Sequence, residues 1–147
     1  MKTFNRMLLA ALCVMLFTAC SAQAQAGNAG FQGNNPYAVQ PGDRELMQGD
    51  LRIDSASVSL AESNPRQAML HFAYFQPTPC YTLRVDPSGP DAQNRINISA
   101  YAVAEKDRPC ALMALATPLQ ADMNLGSYPK GHYTVWLNGA KVGEFDS

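Results

Sequence analysis

The sequence predicts an all-β domain over residues 44–147: an antiparallel two-sheet sandwich of immunoglobulin-like type, with about seven strands and one disulfide. Three observations carry this expectation. Short segments rich in β-branched and aromatic residues alternate apolar with polar, and Pro, Gly, Asn and Asp interrupt them at intervals of about ten residues. Asn138-Gly139 stands between two such segments and is the strongest short-range hairpin signal. The chain has neither an internal repeat nor the strand and helix alternation of a nucleotide-binding α/β domain. A small closed barrel is the alternative arrangement.

The elements follow in chain order. Leu51 and Ile53 alternate, then the apolar phase shifts to Ala56, Val58 and Leu60, which predicts a bulge near Asp54-Ser55. Residues 67–75 (QAMLHFAYF) are apolar at nearly every position, as in a central strand covered on both sides. Tyr81, Leu83 and Val85 alternate up to a turn at Asp86-Pro87-Ser88-Gly89-Pro90. Ile96, Ile98 and Ala100 alternate against Asn97, Ser99 and Tyr101. Residues 110–117 (CALMALAT) favour helix by composition but are too few before Pro118, so a strand or short turn is expected. Tyr133, Val135 and Leu137 lead into the hairpin, and Val142 and Phe145 follow it.

A chain of 147 residues, 47% hydrophobic, holds one domain and not two. Eleven basic side chains against twelve acidic ones leave no surplus to neutralise a phosphate backbone, so nucleic acid is excluded as a partner class.

Lys2 and Arg6 precede an uncharged apolar run over residues 7–19, which is too short for a transmembrane helix and reads as a signal peptide over 1–19. Phe17-Thr18-Ala19-Cys20 resembles the lipobox of bacterial lipoproteins, with Phe17 where that family usually has Leu. The resemblance implies a lipid on Cys20 as the membrane anchor, and Ser21 after it implies the outer membrane. Ordinary cleavage after Ala24 or Ala26, giving a soluble periplasmic or secreted protein, is the rival reading. Without residues 1–19, nine basic and twelve acidic side chains remain, a net charge of −3, so membrane contact would come through the lipid and not a basic patch. Residues 20–43, rich in Gly, Ala, Gln and Asn, read as a flexible linker. Phe31 and Tyr37 are its two isolated aromatics, expected to dock on nothing.

Cys13 leaves with the signal and Cys20 with lipid or cleavage, so Cys80 and Cys110 remain as an expected disulfide in an oxidising compartment. The chain-entropy estimate for that loop is about 3.5 kcal/mol. No C-x-x-C pair suggests redox work. His71 and His132 lack local partners, Gly126-Ser127 lacks the surroundings of a nucleophile elbow, and Asp86 with Asp91 reads as a wet turn, so no catalytic residues are assigned. Met69 and His71 would share a strand face, with Met113, Met123 and His132 elsewhere; a soft copper site is the alternative to Met as core filler, and no metal or cofactor is assigned. Tyr128, Tyr133 and Trp136 form the one candidate binding patch, although in a sandwich this small a lone Trp136 is expected in the core more often than on a patch.

Residues 51–145 resemble a loose group of uncharacterised bacterial envelope lipoproteins with a small β-sandwich domain. The resemblance rests on Ser63-Asn64-Pro65, Pro79-Cys80, Cys110, Leu125-Gly126, residues 129–135 (PKGHYTV) and Asn138-Gly139. It implies fold and location and no activity. The expected function is therefore a non-enzymatic, lipid-anchored periplasmic protein acting through contacts with another envelope component. A secreted-protease inhibitor using residues 75–79 or 86–90 is one alternative, and a periplasmic copper-binding protein is another.

Overall fold

A computed structural model describes residue 31, residues 33–110 and residues 117–147. Among these, eight strands are present: β1 (Met47–Gly49), β2 (Arg52–Ala61), β3 (Gln67–Phe75), β4 (Thr82–Pro87), β5 (Arg95–Ala104), β6 (Leu119–Gly126), β7 (His132–Leu137) and β8 (Ala140–Asp146). They form two sheets, β2-β3-β6 and a five-stranded sheet of β1, β4, β5, β7 and β8. The fold is an all-β sandwich, and Cys80 and Cys110 are joined in a disulfide. Two strands escaped the sequence reading. In β1 only three residues pair, too few to show a period. In β6 the inward set Ala121, Met123 and Leu125 does alternate with Gln120 and Asp122, but Ala, Asp and Asn carry poor strand propensity. Residues 111–116 of the segment expected as strand or turn lie outside the described residues.

One pair departs from the antiparallel expectation. β5 and β7 run parallel, with Ile96 opposite Val135 and Ile98 opposite Leu137. The chain leaves β5, passes through β6 in the other sheet and returns in its original direction, the crossover that a parallel pair requires. β4 lines one edge of β5. The other edge is shared end to end, by β7 along residues 95–98 and by β1 along residues 102–104. Asn138 fills the gap between them. Its backbone N–H donates to the Ile98 carbonyl at 2.9 Å, its Oδ1 accepts from the Ala100 N–H at 2.7 Å, and its Nδ2 donates to the Ala100 carbonyl at 2.9 Å. Asn138 and Gly139 both have positive φ, 48° and 82°, as a two-residue hairpin turn demands.

The core lies between the sheets. Leu70 and Phe72 of β3, Val85 of β4, Ile96 and Ile98 of β5, Met123 and Leu125 of β6, and Val135 and Leu137 of β7 are all buried. Each such side chain contributes about 1.5–3 kcal/mol by leaving water. The bulge in β2 falls where the phase change puts it: Ile53 pairs with Tyr74 and Ser55 with Ala73, leaving Asp54 without an opposite residue. β3 is central but buries mainly one face; on the other Ala73 is buried while Gln67, Met69 and His71 remain half-exposed, because no third layer covers the smaller sheet. Pro87 ends β4 at its pairing with Ile98, where the missing N–H costs nothing on an outer strand.

The segment expected as a flexible linker up to residue 43 is, from Phe31, seated on the domain. Phe31 and Tyr37 pack against the core. Asn35 Nδ2 donates to the Val85 carbonyl at 2.8 Å, and the Val85 N–H donates to the Tyr37 carbonyl at 2.9 Å, so the outer edge of β4 is paired. Gly33 lies against β6, where a Cβ would come within 1.7 Å of the Asn124 carbonyl oxygen. This strap closes one side of the sandwich; on the other, Gly143 of β8 meets Val58 of β2. A 3₁₀ turn, Pro41–Glu45, then crosses the outer face of the larger sheet. Asp43 accepts there from Arg84 Nε at 2.7 Å and Nη2 at 3.0 Å, with both side chains largely shielded from water. The strap was not legible because backbone bonds to a strand edge, and not an apolar period, hold it in place.

Candidate functional site

Three polar side chains meet on the open face of the smaller sheet, one from each strand. In the register, His71 of β3 stands between Ser57 of β2 and Asp122 of β6, and Ser59 is its diagonal neighbour. Because Ala68, Leu70 and Phe72 point into the core, His71 must point out. Asp122 Oδ1 lies 2.6 Å from His71 Nδ1, and Ser59 Oγ lies 3.0 Å from His71 Nε2. A carboxylate can only accept, so in the neutral imidazole the proton sits on Nδ1, Nε2 carries the lone pair, and Ser59 Oγ–H is the donor to it. This is the connectivity of nucleophile, base and orienting acid. His71 is 43% exposed and Asp122 69%. A depression of about 180 Å³ beside them is lined by Ser55, Ser57, His71, Ala73 and Gln120. The N–H groups of β3 are committed to the ladders with β2 and β6, so β3 itself offers no oxyanion hole.

The second histidine also has acidic neighbours. His132 Nδ1 lies 2.8 Å from Asp146 Oδ1 across the β7 and β8 hairpin, and its Nε2 lies 3.7 Å from Glu144 Oε2. Lys141 Nζ donates to Glu144 at 2.5 Å, and that bond holds the Glu144 carboxyl below the usual carboxylate range. The two carboxylates face opposite nitrogens of one ring and do not converge. Among the described residues no group of three or more His, Cys, Asp and Glu side chains is placed to hold a metal ion. Of the residues weighed for copper, Met69 and His71 share the open face, Met123 is buried in the core, His132 belongs to the other sheet and Met113 lies outside the described residues.

The aromatic patch does not assemble as one surface. Tyr133 is buried and stacks on Phe145 with ring centroids 5.4 Å apart, its hydroxyl donating to the Pro129 carbonyl. Tyr128 packs against both rings and donates to the Leu125 carbonyl, and burial, with Tyr133 beside it, pushes its hydroxyl up to about 12. Trp136, three residues along β7, points to the opposite face, where its Nε1 donates to Thr134 Oγ1 at 3.1 Å. Tyr133 is core, Tyr128 packs partly buried against it, and Trp136 stands apart.

The disulfide joins the segment before β4 to the one after β5, with Thr78 Oγ1 at 3.1 Å from Cys110 Sγ. The loop that it tethers presses Pro77 and Tyr81 onto Gly49, where a Cβ would meet the Tyr81 ring at 2.5 Å. In the other Pro-rich turn, Ser88 donates through both its N–H and its hydroxyl to the Asn97 carbonyl. On the outer face of the larger sheet, the strap borders an open groove of about 870 Å³ whose lining mixes apolar residues, among them Val39, Leu46 and Val103, with the polar Gln40, Asp43 and Arg44. Val39 and Met47, at 44% and 45% exposure, are the exposed large apolar residues among those described. The signal segment and Cys20 lie outside the described residues. No described helix is long and apolar enough to cross a membrane. Family models, curated proteins and solved structures were compared with the chain, and none matches.

Proposed function

We propose that this protein is a lipid-anchored, non-enzymatic domain of the bacterial envelope that faces the periplasm and works by contact with another envelope component. The observation that carries the contact reading is the strap groove: Val39, at 44% exposure, lies in it, and Leu46 and Gln48 line it. Exposed apolar side chains beside a groove are where a protein partner gains most from excluding water. The anchoring reading rests on the apolar run ending at Cys20 and on where the strap begins. Eleven peptide links separate Cys20 from Phe31, which limits even a fully extended chain to about 36–40 Å. A lipid on Cys20 would therefore hold the domain close to the bilayer. The immunoglobulin-like form of the sandwich is supported by two stacked sheets and a domain of about 100 residues; the parallel β5 and β7 pair counts against it.

The test is crosslinking in intact cells, comparing the native chain with Cys20→Ala and Val39→Asp. One partner recovered with the native chain and lost with both variants is the expected result. Equal recovery with Val39→Asp overturns the groove, and equal recovery with Cys20→Ala overturns the anchor.

A further inference from the structure

We infer that Ser59 is a nucleophilic hydroxyl, a site of covalent acylation by activated acyl esters, with His71 as its base and Asp122 as the residue that positions that base. The inference stands apart from the contact reading, since it uses the other sheet and needs neither anchor nor groove. Two distances carry it: 2.6 Å from Asp122 Oδ1 to His71 Nδ1, and 3.0 Å from His71 Nε2 to Ser59 Oγ. The carboxylate fixes the tautomer, and the lone pair of Nε2 is thereby directed at the serine proton. Three strands of one sheet hold the three groups, so their spacing is set by the ladder and not by a loop. Ser59 is exposed, and the open face lets an acyl donor approach it from solvent.

In the reaction, Ser59 Oγ bonds to the acyl carbon and the bond from that carbon to the leaving oxygen or sulfur breaks. The hydroxyl proton passes to His71 Nε2 and from there to the departing group. Because the N–H groups of β3 are spent in the ladders, none of them supports the tetrahedral intermediate. Only donors with a good leaving group therefore react, and the acyl group stays on Ser59 for lack of a fast second step.

The experiment exposes the purified full chain to an alkyl fluorophosphonate and to p-nitrophenyl acetate and follows labelling by peptide mass spectrometry. Ser57, two residues along the same strand face, serves as the internal comparison. General-base assistance predicts labelling of Ser59 at least about 100-fold faster than of Ser57. His71→Gln should bring Ser59 down to the Ser57 rate, and Asp122→Asn should slow it about tenfold or more through the wrong tautomer. Equal rates at Ser59 and Ser57 in the native chain overturn the proposal. So does an unchanged Ser59 rate in His71→Gln, and because both rates come from one molecule, a folding defect in a variant cannot imitate that result.

Discussion

The side chain of Asn138 pairs with the backbone of Ala100 as a strand residue would, accepting from its N–H at 2.7 Å and donating to its carbonyl at 2.9 Å. One residue thus shapes the last hairpin and carries the ladder of β7 across to β1. Asn138→Gly keeps the positive φ but leaves both Ala100 groups unpaired, and should cost about 2 kcal/mol in urea unfolding. Unchanged stability would mean that the turn conformation alone explains the asparagine.

Gly33→Val should lift the strap, since any Cβ there runs into the Asn124 carbonyl. Its signature is specific: the Val85 amide, which donates to Tyr37, should exchange with solvent faster by at least about tenfold, while the Leu70 amide in central β3 stays protected. Equal protection of Val85 in variant and native chain would show that the strap does not depend on that close approach.

The Arg84 guanidinium, hydrogen-bonded to Asp43, is the main cause that holds the Asp43 carboxyl below its ordinary value of 3.8. A folded pKa below the unfolded one gives stability that is present above pH 3.8 and lost as pH falls through the lower, folded value. At pH 7, Asp43→Asn should cost about 2 kcal/mol, because the charge is lost while an amide oxygen still accepts from Arg84. The gap between native and variant should then narrow below about pH 4. A gap that stays constant from pH 7 to pH 3 would sink the assignment.

Reducing the disulfide, or replacing both cysteines with alanine, should lower stability by about 3.5 kcal/mol, the entropy of the loop it closes. Thermal unfolding with and without reductant measures this, and no shift in Tm would place the stabilisation elsewhere.

The strands legible in the sequence are those whose apolar side chains alternate: β5 and β7 follow from Ile96, Ile98, Tyr133, Val135 and Leu137, and the β2 bulge follows from the phase change after Ile53. The site was hidden for a different reason. Ser59, His71 and Asp122 come together only through the pairing of β3 with both neighbours, and β6 was itself too weakly patterned to read. The partner of His132 was nearer to hand. A regular hairpin around Asn138-Gly139 would place His132 opposite Phe145; the register shift between Val135 and Trp136 moves it opposite Asp146 and sends Phe145 into the core. That shift has a visible cause: in the regular register Val142 would face inward opposite Val135 but Phe145 would face out, and the extra residue lets both pack inward.

The strap also decides how the domain would carry a mechanical load. Tension entering from the N-terminal end meets Phe31 first, then Gly33 and the bonds of Asn35 and Tyr37 to Val85, and only afterwards the ion pair of Asp43 with Arg84. These contacts are loaded one after another, as in peeling tape, while the ladders of β5 and the core behind them are spared. A pull on that end would therefore lengthen the leash by up to about a dozen residues, roughly 40 Å, before either sheet yields.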